Sequence, residues 1–128
     1  MQNSIPKTKT YIELKELNAP LHLKWIKFEL QHGTLQDNTV SELYTRYKDW
    51  IGYYYTDKPV MTLTSFGLLL NENKDAGNID NNVQYTINNI GDKHKSHGVM
   101  LFKWNIENII IGLKNQDLLS NDFIYRRV

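Results

Sequence analysis

Thr39-Val40-Ser41-Glu42 opens a run whose apolar residues, Val40, Leu43, Tyr44, Tyr47, Trp50 and Ile51, recur at helical spacing. That stripe is the signature of an amphipathic helix, which must bury one face against a partner. The start is a capping box: Thr39 can accept from the amide three residues on, and Glu42 can reach back. The pattern predicts a helix over Val40–Tyr53, with Arg46, Lys48 and Asp49 turned to water.

Weaker stripes flank it. Tyr11, Leu14 and Leu17 predict a short helix over Tyr11–Asn18, broken by Asn18-Ala19-Pro20. Pro20 is suited to open the next helix, Pro20–His32, whose Leu23, Ile26 and Leu30 share a face, and Gly33 supplies a stop. Thr56-Asp57-Lys58-Pro59 reads as a turn, followed by a helix over Thr62–Asn73 with Leu63, Phe66, Leu69 and Leu70 apolar and Gly67 inside it. Asn105 can cap a last helix carrying Ile106, Ile109, Ile110 and Leu113. Alanine, the best helix former, occurs only at Ala19 and Ala76, so packing must hold these helices.

Between the last two helices the period changes. Asn71–Asn82 is rich in Asn, Asp and Gly and reads as loop. Val83, Tyr85 and Ile87 alternate with polar residues as in a strand, and Val99–Trp104 reads as a second strand. Gly91–Gly98 is the expected polar turn between them. The order of helices, then helix–turn–helix, then hairpin, then helix predicts an α+β, mainly α fold. Its expected form is a winged helix-turn-helix with N-terminal helices, a two-stranded wing hairpin and a C-terminal helix. The expected layout is a lead-in over 1–10, one domain over 11–120 and a tail over 121–128.

The chain has 128 residues, enough for one core, with 41% hydrophobic and 23% charged residues. Those values exclude a disordered tail and a disulfide-dense miniprotein. There is no cysteine, hence no thiolate metal site and no cysteine nucleophile. Its absence, with a polar N-terminus and no apolar run of spanning length, leads us to expect an intracellular protein in a reducing compartment, cytoplasm or nucleus, with no membrane partner. The net charge of +1 gives no global field for nucleic acid, so any such case must be local.

Catalytic signals are sparse. No His-x-x-x-His pair, nucleophile elbow or phosphate-cradling loop is present. His94 and His97 could approach one another beside Asp92 in a metal site, but two solvated histidines are the plainer reading. No enzyme activity, cofactor or metal is expected of this chain.

The charges between Lys93 and Trp104 are Lys93, Lys95 and Lys103, with His94 and His97 among them and no acid. On a wing these would meet DNA phosphate; a polar hairpin that guards its edge with lysine would look the same. Along the second helix of the pair, Thr62, Thr64 and Ser65 could contact phosphate with the free amides, and Asn71 could read adenine. Helix capping explains the first two equally well. Lys58 and Lys74 flank that helix. Tyr53-Tyr54-Tyr55 cannot all face one core, so at least one ring is expected at the surface or against a partner.

Leu43-Tyr44-Thr45-Arg46-Tyr47-Lys48-Asp49-Trp50 followed by Leu63-Thr64-Ser65-Phe66-Gly67-Leu68-Leu69-Leu70 resembles the tail module of poxvirus-type and phage-satellite primase-helicases, whose motor is a superfamily III helicase. Ile5-Pro6-Lys7-Thr8-Lys9 resembles the exit from such a motor. The resemblance implies a viral or mobile-element replication protein whose winged helix grips DNA, double- or single-stranded, alongside other replication proteins. Walker residues are absent, so ATP binding does not carry over. The long Asn-rich loop before the wing and the lack of a basic recognition helix depart from the family pattern. The rival reading is a protein-interaction or oligomerisation module, with Tyr53–Tyr55 and Ile106–Leu113 as its apolar surface.

Overall fold

The computed structural model describes residues 8–71, 87 and 89–127. It contains helices α1 (Lys9–Leu17), α2 (Leu21–Gln31), α3 (Val40–Tyr54), α4 (Leu63–Asn71) and α5 (Ile106–Asn115). Strands β1 (Asn38–Thr39), β2 (Gly91–Ser96) and β3 (Val99–Trp104) form an antiparallel sheet in the order β1-β3-β2. The fold is α+β and mainly α.

The caps fix the helix starts. Thr39 Oγ1 accepts from the Glu42 amide at 3.0 Å, the forward half of the capping box. The Thr39 amide itself donates to Asn38 Oδ1 at 2.7 Å. Asn105 caps α5 through the Asn108 amide at 3.1 Å. After α2, Gly33 takes φ 69° while Thr34 N–H reaches Glu29 O at 2.9 Å and Gly33 N–H reaches Leu30 O at 3.1 Å. That pair of bonds is a Schellman stop, and its left-handed residue favours glycine.

The core centres on Trp25, 1% exposed, whose indole meets the rings of Tyr47, Phe66 and Trp104 edge-on at 5.5, 6.0 and 6.1 Å. One residue thereby joins α2, α3, α4 and β3. Leu23, Ile26, Leu43, Ile51, Leu70, Phe102 and Ile109 are buried around it. Trp104 is anchored by its Nε1–H to Gln36 O at 3.0 Å and its amide to Asp37 Oδ1 at 2.9 Å. These bonds lay the segment before α3 along β3, and its last two residues become β1.

The hairpin differs from the sequence expectation. Gly91–Ser96, expected as turn, is strand β2, paired with β3 from Gly91↔Trp104 to Ser96↔Val99. The turn is His97-Gly98 alone, both at positive φ (52° and 80°), as a tight hairpin of matching twist requires. The stretch 83–88 expected as a strand lies outside the described residues except for Ile87, which is buried in the core. The expected loop 72–82 also lies outside them. In the tail expected over 121–128, Lys114 Nζ donates to Asn121 O and Phe123 O at 3.0 and 3.1 Å, and Phe123 and Tyr125 pack against the core. No helix among the described residues is long and apolar enough to cross a membrane.

Candidate nucleic-acid interface

The residues expected to meet DNA lie on α4, the turn before it, and the hairpin. Thr62 caps α4: its Oγ1 accepts from the Ser65 amide at 3.1 Å and donates to Ser65 Oγ at 3.2 Å. Both hydroxyls therefore have local work, yet both remain exposed, as does Thr64. The inner face of α4 is Phe66, Leu69 and Leu70; helical spacing turns Thr64 and Leu68 the opposite way. Leu63 and Leu68 are 44% and 63% exposed, so this outer face is hydroxyl and apolar rather than basic. Asn71 is the last described residue of the helix, with its side chain outside what is described, and Lys74 lies outside the described residues. Lys58 is exposed, its amide bonded to Tyr55 O at 3.0 Å in the turn.

The sheet divides the hairpin residues between two faces. Directly opposed residues of an antiparallel pair share a face, and neighbours along a strand alternate. Lys93 and Lys95 oppose Phe102 and Met100, on the side that packs on the core. His94 and Lys103 belong to the other side, and Lys103 stands opposite Asp92. The expected basic wing is thus not one cluster. Lys95 is exposed. Lys93 is half-buried: its Nζ donates to Gly67 O of α4 at 2.8 Å, and burial lowers the pKa of its ammonium.

Sequence reasoning passed over two lysines beside the turn into α4. Lys48 Nζ lies 5.5 Å from the ring centroid of Tyr44, whose hydroxyl donates to Met61 O at 2.7 Å. Lys24 Nζ lies 5.4 Å from the ring centroid of Tyr55 and donates to Leu17 O at 3.3 Å. Burial lowers the Lys24 pKa, with Glu16 opposing and Lys58 assisting. The Tyr44–Lys48 spacing of one helical turn was the available signal for the first pair; the second pair joins distant segments and leaves none.

A cleft of about 520 Å³ lies between α1, α2 and the segment 119–123, walled by Ile12, Glu16, Lys27, Leu119 and Phe123. No expected contact residue lines it. Among the described residues no group of three or more His, Asp or Glu could hold a metal ion. Comparison with protein-family models, with curated proteins and with solved structures finds no match for the chain.

Proposed function

We propose that the chain is a winged-helix DNA-binding module that grips DNA with α4 and the β2–β3 hairpin. The observation that carries this reading is topological. A strand placed between α2 and α3 pairs with β3, so the sheet order is β1-β3-β2 and the hairpin flanks α4. That order is compatible with a winged helix, and Thr64 and Leu68 on the outer face of α4 are exposed. Lys58, Thr62, Thr64, Ser65 and Lys95 are the exposed groups on or beside that face and are assigned to the phosphate backbone. His94 and Lys103, on the opposite face of the sheet, are assigned at most to a wrapped strand.

The resemblance supplies the context we propose: the tail of a viral or mobile-element primase-helicase, working in a host cell beside other replication proteins and itself not catalytic. The test is fluorescence anisotropy with labelled duplex and single-stranded DNA. About four phosphate contacts lower affinity on the order of 10²-fold between about 50 and 200 mM salt. Absence of binding at low salt overturns the reading.

A second reading, a protein-interaction module, draws on the exposed rings of Tyr53 and Tyr54, 77% and 52% accessible. Concentration-dependent self-association without DNA affinity would favour it.

A further inference from the structure

Lys93 occupies a place where the register calls for an apolar side chain. It opposes Phe102, which is 1% exposed, so it leaves the sheet on the core side. Its Nζ instead crosses to α4 and donates to the carbonyl oxygen of Gly67 at 2.8 Å. At the crossing α4 presents only backbone: a Cβ on Gly67 would lie 3.6 Å from that nitrogen and 4.0 Å from Val40 Cγ1. Gly67 is the fifth of the nine residues of α4, so the ammonium meets a mid-helix carbonyl oxygen through its spare lone pair. Burial lowers the Lys93 pKa.

We propose that Lys93 is a positioning residue: its ammonium ties the hairpin to α4 and so sets where Lys95 and the His97-Gly98 tip stand relative to the outer face of α4. β1 grips β3 over only two residues, Asn38 and Thr39, near the middle of the strand. Beyond that grip the hairpin is a two-stranded ribbon, which twists easily when unsupported. The Lys93 tether falls level with the grip but on the other strand: Asn38 pairs with Phe102, which pairs with Lys93, so β1 holds β3 and α4 holds β2 where the free ribbon toward the tip begins. Lys95 is the next residue on the same face, roughly 6–7 Å farther along. A tilt of the ribbon therefore moves Lys95 away from any backbone that also touches Thr64. Lys93 acts through Lys95 and touches no phosphate itself. What the pose serves rests on the DNA-binding reading; the tether itself does not.

The experiment compares Lys93→Met, which keeps the stem, Lys93→Arg, which keeps a donor, and Lys95→Met in the full chain. Amide hydrogen exchange across β2 and β3 is read first, without DNA. Lys93→Met should speed exchange at His94, Ser96 and Leu101, whose amides belong to the hydrogen-bonded pairs of the ladder, while Lys93→Arg largely restores protection. Unchanged protection in Lys93→Met overturns the tether. Anisotropy with a short labelled duplex of mixed sequence is read next. Lys93→Met should weaken binding about three- to tenfold, the worth of one hydrogen bond, at an unchanged salt slope. Lys95→Met should reduce that slope by about one. A Lys93→Met slope reduced as much as that of Lys95→Met makes Lys93 a phosphate contact and overturns the proposal. If the unaltered chain binds no duplex, the DNA-binding reading fails, and the exchange result alone decides the tether.

Discussion

Arg46 on α3 reaches the carboxylate of Glu29 on α2, nitrogen to oxygen at 2.6 Å, while Trp25 Nε1–H donates to the other oxygen of the same carboxylate at 3.1 Å. Thr34 Oγ1 donates to the first oxygen at 2.5 Å. Glu29 is 4% exposed, so this carboxylate is a buried hub fed by three donors. Its removal leaves the Trp25 indole without an acceptor in the middle of the core. Glu29→Ala should therefore cost roughly 2–4 kcal/mol. Arg46 has a side chain 43% exposed, and Glu29 keeps two donors without it. Arg46→Ala should cost only about 1 kcal/mol. Urea unfolding of the two variants gives the order, and a larger loss in Arg46→Ala would show that the ion pair rather than the indole bond governs the seam.

Tyr47 is 2% exposed, and burial pushes its phenol from 10.0 up to about 12. The unfolded chain loses this proton first, so between those values the folded state holds more protons. Stability is then undiminished below about pH 10 and falls as pH rises toward about 12, by up to roughly 2–3 kcal/mol. Tyr47→Phe should flatten that alkaline limb relative to the unaltered chain. Denaturant midpoints from pH 8 to 12 are the measurement, and parallel profiles would mean that Tyr47 ionises without cost to the fold.

Gly91 and Gly52 should respond oppositely to alanine. A Cβ on Gly91 would collide with the Lys103 carbonyl oxygen and lie 2.6 Å from two ring carbons of Phe102. The close strand contact excludes a side chain, and Gly91→Ala should destabilise by about 1–3 kcal/mol. Gly52 lies on the exposed face of α3 with nothing within 4 Å of a built Cβ. Gly52→Ala should stabilise by about 0.5–1 kcal/mol, because glycine in a helix interior loses more freedom on folding. Thermal unfolding distinguishes the signs.

The helices were legible because each carries local instructions. Thr39 and Asn105 cap, Gly33 stops, and apolar residues recur at the right period. β2 was not, because Gly-Asp-Lys-His-Lys-Ser carries none of the alternation that marks a strand. Its core-side places are filled by a glycine that admits the Phe102 ring, by a lysine whose ammonium bonds to α4, and by the exposed Lys95. Only long-range contacts give those residues their strand role, and sequence spacing does not encode them. The same limit blurred the candidate interface: Lys93 reads as one of three wing lysines, yet it is the one turned inward. β1 escaped notice for a related reason, since two residues suffice when Asp37 and Gln36 anchor Trp104.

Tyr53 provides a control that separates the two faces of α3. Its ring is 77% exposed and meets Tyr54 edge-on at 4.7 Å. Tyr54 in turn contacts Phe28 of α2 and Trp50, whereas Tyr44 contacts Phe66 of α4. Tyr54, with Tyr53 against it, therefore lies toward α2 rather than α4, whereas Tyr55 sits at the turn that carries Lys58. Tyr53→Ser should change stability by no more than about 0.5 kcal/mol, as for an exposed side chain with few contacts. It should leave duplex affinity unchanged, while Lys58→Glu weakens binding and reduces the salt slope by at least about one. Should Tyr53→Ser weaken duplex binding as much as Lys58→Glu does, the contact surface runs over the α2–α3 side. The assignment to α4 and the hairpin would then be wrong. Should it instead abolish self-association in a chain that does not bind DNA, the aromatic run is the interface and the interaction reading stands.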